Sequence, residues 1–267
     1  MRDPLLPLLP GPQDADRPWL ICYGIDERVE LTGHVLSMWL AKIAGFVTSE
    51  SVPGDGVHVA LPPHWRSVAW ACGTWLAGRS VLLGSNEEIR TAGLIPELSV
   101  AFTPESLYDE AEAQALVPPA SLALRWPDEL PALVLDGAAD LMHYPDRFTP
   151  VSTAADSVCL TDLTSEAAAP AAPGAPGGTA PSGGRLTVLT RAQLAARVEA
   201  ADSPAGSGRH STSRAVLVRS PDTAKMLQEV LVAWRTGRTA VVLTPEAGDD
   251  VAAAAIRQEG IQEGITA

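Results

Sequence analysis

The feature that most restricts the fold of this chain is a strand, a helix and a second strand in direct succession. Residues 57–61 form a short apolar run that Pro62 ends. Residues 64–77 have the pattern of a helix, Gly78 is a typical helix stop, and residues 80–83 form the second apolar run. Strands joined in this way pair in parallel through a right-handed crossover. The sequence therefore predicts an α/β fold.

A second unit of the same kind lies near the end of the chain. Apolar runs at residues 215–218 and 239–243 flank a helical pattern over residues 221–234. The joint at residues 234–243 also resembles the joint at residues 75–83. This similarity indicates two similar α/β subdomains packed together. The alternative is that any helix–glycine–strand joint has this pattern.

The remaining elements are shorter, and turn residues separate them. Thr32 is placed to cap a helix whose apolar residues recur every three or four positions. The predicted strands are residues 19–23, 28–31, 94–102, 121–124, 157–160, 186–189 and 261–266, and the predicted helices are residues 191–201 and 249–259.

A low-complexity stretch rich in Ala, Pro and Gly runs from Ser165 to Gly184. Its composition is unsuited to a packed core. It divides the chain into a first α/β subdomain at residues 1–164, a loop at 165–184 and a partial second subdomain at 185–267. One continuous structural unit is the alternative.

The charge of the chain excludes some partners. With 32 acidic and 19 basic residues, the formal net charge is −13, which repels nucleic acid and anionic membranes. Lys42 and Lys225 are the two lysines of the sequence, so few positions can supply an ammonium group. Prolines interrupt the apolar N-terminus, whereas a signal peptide has an unbroken apolar helix. We therefore expect a cytoplasmic protein without a nucleic-acid or membrane partner.

The common catalytic and metal-binding motifs are missing from the sequence. The turn after the first strand of the crossover contains Pro62 and Pro63. Proline has no N–H group to donate to a phosphate, and this turn lacks the glycines of a dinucleotide site. His64 is most simply a polar residue of the first helical turn. The cysteines are isolated in apolar runs and are interpreted as small buried side chains. We predict no metal site and no catalytic residue.

Three segments together resemble the AMP-forming acyl- and aryl-activating synthetases. Residues 31–36 resemble the start of the first helix in that family. Residues 54–63, with 75–78, resemble its GDxV strand and the helix that follows. Residues 185–194 match the spacing of the segment that closes its phosphate loop. The resemblance covers about residues 19–200 and is strongest to a group of short relatives. It implies the N-terminal region of that fold, truncated.

The resemblance also implies a site for a nucleotide. In the family, a loop of serine, threonine and glycine ending in lysine holds the phosphates of ATP, which binds with Mg²⁺. The corresponding residues of this sequence are Thr161, Thr164, Ser165, Gly183, Gly184, Arg185 and Thr190. Arg185 stands at the lysine position, and Arg191 replaces a histidine that is usual in the family.

Departures from the family pattern point to lost catalysis. Alanine and proline replace the core of the phosphate loop, and proline cannot donate a hydrogen bond to a phosphate. We therefore expect a catalytically degenerate, truncated homologue that retains weak nucleotide or acyl binding. The alternatives are a non-enzymatic interaction scaffold and a split acid–thiol ligase, for which a partner chain supplies the C-terminal domain.

Overall fold

The computed structural model describes residues 3–11, 13–14, 17–164, 186–202 and 213–262. The strands in these residues are β1 (Pro18–Tyr23), β2 (Arg28–Thr32), β3 (Val57–Ala60), β4 (Val81–Leu83), β5 (Leu98–Ala101), β6 (Gln114–Leu116), β7 (Leu135–Asp136), β8 (Val158–Asp162), β9 (Thr187–Thr190), β10 (Ala215–Val218) and β11 (Thr239–Leu243). The α-helices are α1 (Gly33–Glu50), α2 (Trp65–Leu76), α3 (Asn86–Ala92), α4 (Arg191–Asp202), α5 (Thr223–Arg235) and α6 (Asp249–Gln258).

Seven strands form a mainly parallel sheet in the order β7-β6-β5-β3-β4-β8-β9. Strand β9 is antiparallel to β8. Strands β3 and β4 are joined by α2 and pair in parallel, and β5 returns to pair on the other side of β3. The chain thus changes its direction of winding at β3. In α/β proteins, ligands bind beyond the carboxyl ends of the strands at such a point.

Four strands form the second sheet in the order β10-β11-β1-β2. Strands β1 and β2 are the predicted hairpin, and β10 and β11 pair in parallel as the second crossover requires. Strand β1 pairs with β11, and β8 pairs with β9. Each sheet therefore takes strands from both sides of residues 165–185, so a division into residues 1–164 and 185–267 does not separate the sheets.

Helices α1 and α2 pack against each other; α1 contacts β1 and β2 of the four-stranded sheet, and α2 contacts strands of both sheets. Thr32 caps α1 by accepting the N–H of Val35 at 3.3 Å. A Cβ atom at Gly73 would lie 2.5 Å from Cγ2 of Ile43, so glycine at this position permits the close helix contact. The buried residues of α1, α2 and strands of both sheets form one core, so the side of α1 that faces this core is apolar.

The predicted α/β class with parallel crossovers is confirmed, but one predicted strand is wrong. Residues 121–124 form turns. The buried guanidinium of Arg66 donates to the carbonyls of Ala120, Ser121 and Ala123 at 3.3, 3.2 and 2.8 Å, so these groups converge on one side chain and do not form a ladder. The sequence patterns also missed α3, β6 and β7. Residues 261–262 are not in a strand, and 263–266 lie outside the described residues.

The three cysteines are buried, as predicted. Burial raises the pKa of Cys22 and Cys159 to about 12, so these thiols stay protonated at neutral pH. Burial also raises the pKa of Cys72. In the part of the chain that the structure describes, no helix is long and apolar enough to cross a membrane.

Candidate functional site

A cleft of about 1130 Å³ opens beyond the carboxyl ends of β3, β4 and β8. Its floor is apolar and comes from the ends of β3 and β4, with Leu61, Pro62 and Leu83. The first turns of α3 and α5 and one side of α4 complete the walls. This is the position that the change of winding at β3 predicts for a ligand site.

Acidic side chains dominate the polar part of the cleft. Glu87, Glu105, Asp162 and Asp222 line it, and Arg197 is the basic residue among the lining residues that the structure describes. Four carboxylates against one guanidinium disfavour a ligand with several uncompensated negative charges. The charge pattern favours a ligand with a single anionic group and an otherwise uncharged body.

Three of the seven predicted phosphate-loop residues lie in the described part of the chain. Thr164 lines the cleft, where its N–H and Oγ1 both donate to Oδ1 of Asp162 at 3.0 and 2.7 Å. Thr161 is buried within β8. Thr190 caps α4: its Oγ1 accepts the N–H of Gln193 at 3.2 Å, and its own N–H donates to Oε1 of Gln193.

The other four predicted residues are Ser165, Gly183, Gly184 and Arg185, and they lie outside the described residues. Sequence reasoning missed Asp162 and Arg197, and it predicted the helix over residues 221–234 without placing its first turn in the site. A local signal existed for α5, because Asp222 is a standard N-cap and accepts the N–H of Lys225 at 3.0 Å. Oγ1 of Thr223 then donates to the carbonyl of Leu61 at 3.2 Å and joins this helix to the end of β3.

His58 supports the floor of the cleft. Because the carbonyl of Gly84 can only accept, Nε2 of His58 carries the proton and donates to it at 3.0 Å, while Nδ1 lies 3.0 Å from Oγ of Ser99. Burial lowers the pKa of His58, so the ring is neutral at pH 7. Gly84 has φ +151, and a Cβ atom there would lie 2.9 Å from Cβ of Leu163. The histidine therefore has a structural role.

Arg191, at the position of the family histidine, is also structural. Its guanidinium is fully buried and forms an ion pair with Asp3 at 2.6 Å. A second nitrogen donates to the carbonyl of Trp75 at 3.0 Å. Asp3 in turn accepts the N–H and the hydroxyl of Thr153. The pair ties the N-terminal segment to the start of α4 and keeps this arginine away from the cleft.

A second, smaller pocket of about 400 Å³ lies where the carboxyl ends of the two sheets meet. Beside it, Nδ1 of His64 accepts the N–H of Arg66 at 3.1 Å, so Nε2 of the neutral ring carries the proton and donates to Oγ of Ser121 at 3.2 Å. Oγ of Ser121 donates to Oε1 of Glu27 at 2.6 Å. With both ring nitrogens engaged in this way, His64 caps α2 and is not a free base for Ser121.

The buried position of His64 predicts a pH dependence of stability. Burial, with a smaller contribution from the charge of Arg66, lowers its pKa from 6.5 to about 4. The unfolded chain therefore takes up this proton first as the pH falls. The neutral ring makes its full contribution to the free energy of unfolding above pH 6.5. This contribution is lost toward pH 4, with a slope of up to about 1.4 kcal/mol per pH unit.

Urea unfolding of the wild type and of His64→Asn between pH 4 and pH 7.5 checks this expectation. Asparagine can still cap α2 but does not titrate. The free energy of unfolding of the wild type should fall more steeply than that of the variant below pH 6.5. Parallel curves for the two proteins would show that His64 does not titrate differently on folding.

The described residues of the cleft alone do not fit ATP with Mg²⁺. The first turn of α3 is already closed by a capping box, in which Ser85 and Glu88 satisfy each other. At the start of α5, the carboxylate of Asp222 occupies the N–H of Lys225 and repels a phosphate. Among the described residues, no group of three or more His, Cys, Asp or Glu side chains could hold a metal ion.

Solved structures, two of them of synthetases, share this fold. An acyl-CoA synthetase from Brucella canis has a TM-score of 0.74 and 16% identity, covering 97% of this chain and 46% of that one. Acetoacetyl-CoA synthetase from Streptomyces lividans gives a TM-score of 0.66 at 16% identity, over 91% of this chain and 38% of that one. The N-terminal subdomain of NpsA from Klebsiella oxytoca gives 0.65 at 14% identity, over 97% and 59%.

Sequence similarity is more limited. A TIGR03089 family protein from Mycobacterium tuberculosis is 27% identical over 129 residues, which is 46% of this chain and 51% of that protein. No protein-family profile matches the chain. The aligned region spans about half the length of the curated relative. The predicted resemblance to the N-terminal region of AMP-forming synthetases is confirmed at the level of the fold.

Proposed function

We propose that this protein is a catalytically degenerate relative of the AMP-forming acyl-activating synthetases, and that its cleft keeps a weak site for a nucleotide or an acyl compound. The observation that carries the proposal is the cleft of about 1130 Å³ at the carboxyl ends of β3, β4 and β8. Its position within a synthetase-like fold favours retained binding. Three buried thiols suit the reducing cytoplasm, where we place the function.

The charge of the cleft supports the proposed loss of catalysis. Adenylation requires cations and hydrogen-bond donors that stabilise the charge developing on a phosphate in the transition state. The cleft instead has four carboxylates among its described lining residues, with Arg197 as the basic group. The insertion at residues 165–184 further replaces the serine and glycine core of the phosphate loop with alanine and proline.

Two alternatives remain as outcomes of a test. A partner chain that supplies a C-terminal domain would restore a split enzyme, and a protein without any cleft ligand would be an interaction scaffold. The synthetase-like structures are longer: this chain covers 46% of the Brucella canis enzyme. Binding and catalysis therefore have to be measured separately on the purified chain.

Ligand-dependent thermal unfolding tests the proposal. If AMP binds with a dissociation constant of about 1 mM, 5 mM AMP should stabilise the protein by about 1 kcal/mol and raise Tm by about 2 °C. The same series is run with ATP, with and without Mg²⁺, and with a panel of carboxylic acids. ATP–pyrophosphate exchange is measured on the same samples and should stay at the blank level.

The results separate the hypotheses. A rise in Tm without exchange supports the degenerate binding protein. Exchange by the purified chain with any carboxylic acid would contradict the loss of catalysis. No change in Tm with any nucleotide or acid at millimolar concentration would contradict the retained site and favour the interaction scaffold. Exchange that requires a copurifying protein would establish the split enzyme.

A further inference from the structure

We propose that Arg197 binds the oxyanion group of the ligand in the cleft, either a carboxylate or a phosphate. This inference rests on the proposed function, since it concerns the same cleft, and it assigns the anion contact to a helix residue outside the phosphate-loop segment. The starting observation is that Arg197 lines the cleft from α4. Among the described lining residues it is the basic side chain.

The topology explains how α4 reaches the cleft. Because β9 is antiparallel to β8, it starts at the cleft beside Asp162. It ends at Thr190, at the opposite end of the strands from the cleft. Helix α4 starts directly after β9 and packs back along β8 and β9. Seven residues of helix advance by about 10 Å, which equals the length of the four-residue strand. Arg197 thus returns to the level of Thr187.

The backbone beneath Arg197 is held firmly. Leu194 and Val198 are buried on the core face of α4, so Arg197 lies on the flank of that face. Two residues further along α4, Glu199 forms an ion pair with Arg235 of α5 at 3.0 Å. Helix α4 also packs against α5, β8 and β9, so the guanidinium extends into the cleft from a packed helix.

The charge of Arg197 is uncommitted in the described structure. It forms no ion pair or side-chain hydrogen bond with any residue that the structure describes, whereas Arg191 is paired with buried Asp3. A guanidinium can hold two oxygens of a carboxylate or a phosphate through two parallel hydrogen bonds. The surrounding carboxylates limit the ligand to one such group, and the apolar floor at Leu61 and Leu83 suits an uncharged remainder.

Calorimetric titration of the full chain with AMP, inorganic phosphate and benzoate tests the assignment. Arg197→Ala should weaken binding of the best probe at least tenfold, and Arg197→Lys should weaken it less because one charge remains. The control is Arg147→Ala, which removes an exposed arginine outside the cleft lining and should change affinity less than twofold. Since Arg197 is exposed, all three variants should fold with an unchanged Tm.

The outcomes distinguish this inference from the proposed function. If the wild type binds a probe and Arg197→Ala binds it equally well, the role of Arg197 is wrong while the proposed site stands. If neither these probes nor any nucleotide or acid of the thermal-unfolding panel binds the wild type, both the role of Arg197 and the proposed site are overturned. Preference for AMP or inorganic phosphate over benzoate identifies phosphate as the oxyanion, and the reverse preference identifies carboxylate. If the wild type is catalytically active and Arg197→Ala binds the probe more weakly, only the proposed loss of catalysis is contradicted.

Discussion

Replacing Asp3 with asparagine is expected to lower the free energy of unfolding by about 3–5 kcal/mol. The guanidinium of Arg191 is fully buried and lies 2.6 Å from Oδ2 of Asp3, so the neutral amide leaves a buried charge without its partner. Asp3 also accepts the N–H of Leu5 at 3.0 Å and anchors the N-terminal segment. Urea unfolding monitored by circular dichroism measures the loss.

Asp249→Asn is the matched control for this prediction. It breaks an ion pair of the same length, 2.6 Å, between Arg219 and Asp249, but both side chains are exposed. Exposed pairs contribute about 0–1 kcal/mol, so the control should be close to the wild type. Equal losses for Asp3→Asn and Asp249→Asn would show that burial of the Arg191 pair does not determine its contribution.

Arg66→Met is expected to lower the free energy of unfolding by about 3 kcal/mol. The guanidinium of Arg66 donates to the carbonyls of Ala120, Ser121 and Ala123, and it lies 4.6 Å from the ring centroid of Trp65. Burial lowers its pKa to about 10, so it remains charged at pH 7. Methionine keeps much of the packing but leaves three carbonyls without their donor. Chemical denaturation of both proteins measures the difference.

Limited proteolysis gives a second, local readout of the same variant. The segment that Arg66 holds contains the exposed residue Arg125, a trypsin site. Trypsin should cut after Arg125 faster in Arg66→Met than in the wild type, because the turns before it lose their anchor. Arg147→Met, an exposed substitution, is the control and should change neither stability nor cleavage. Unchanged cleavage after Arg125 would contradict the anchoring role of Arg66.

Much of the secondary structure follows from local chemistry. The crossover at β3, α2 and β4 is readable because Pro62 and Gly78 mark its joints and apolar runs mark its strands. Helix α1 is readable from the Thr32 cap and its apolar stripe. Strands β6 and β7 have three and two residues, too few for alternation to be detected, and they form because the parallel sheet provides a partner edge.

The candidate site was less accessible to sequence reasoning. Thr164 does line the cleft, but Thr190 caps a helix and Thr161 lies inside a strand. A threonine in the sequence does not reveal whether it will line a cleft, cap a helix or lie inside a strand. Its hydroxyl caps helices as readily as it binds anions. Arg197 has no motif around it at all. Its importance depends on the return of α4 along β9, which no local pattern encodes.

The sequence by itself determined the α/β class, the two crossovers and the resemblance to synthetases, because periodicity, caps and helix stops act within a few residues. Only the tertiary structure decided which charges meet. It buries Arg191 against Asp3, 188 residues away, and it leaves Arg197 in the cleft among carboxylates from four different elements. The physical reason is that ion pairing depends on the distance in space between two side chains, and burial depends on what packs around them. The order of the strands in the sheets sets both.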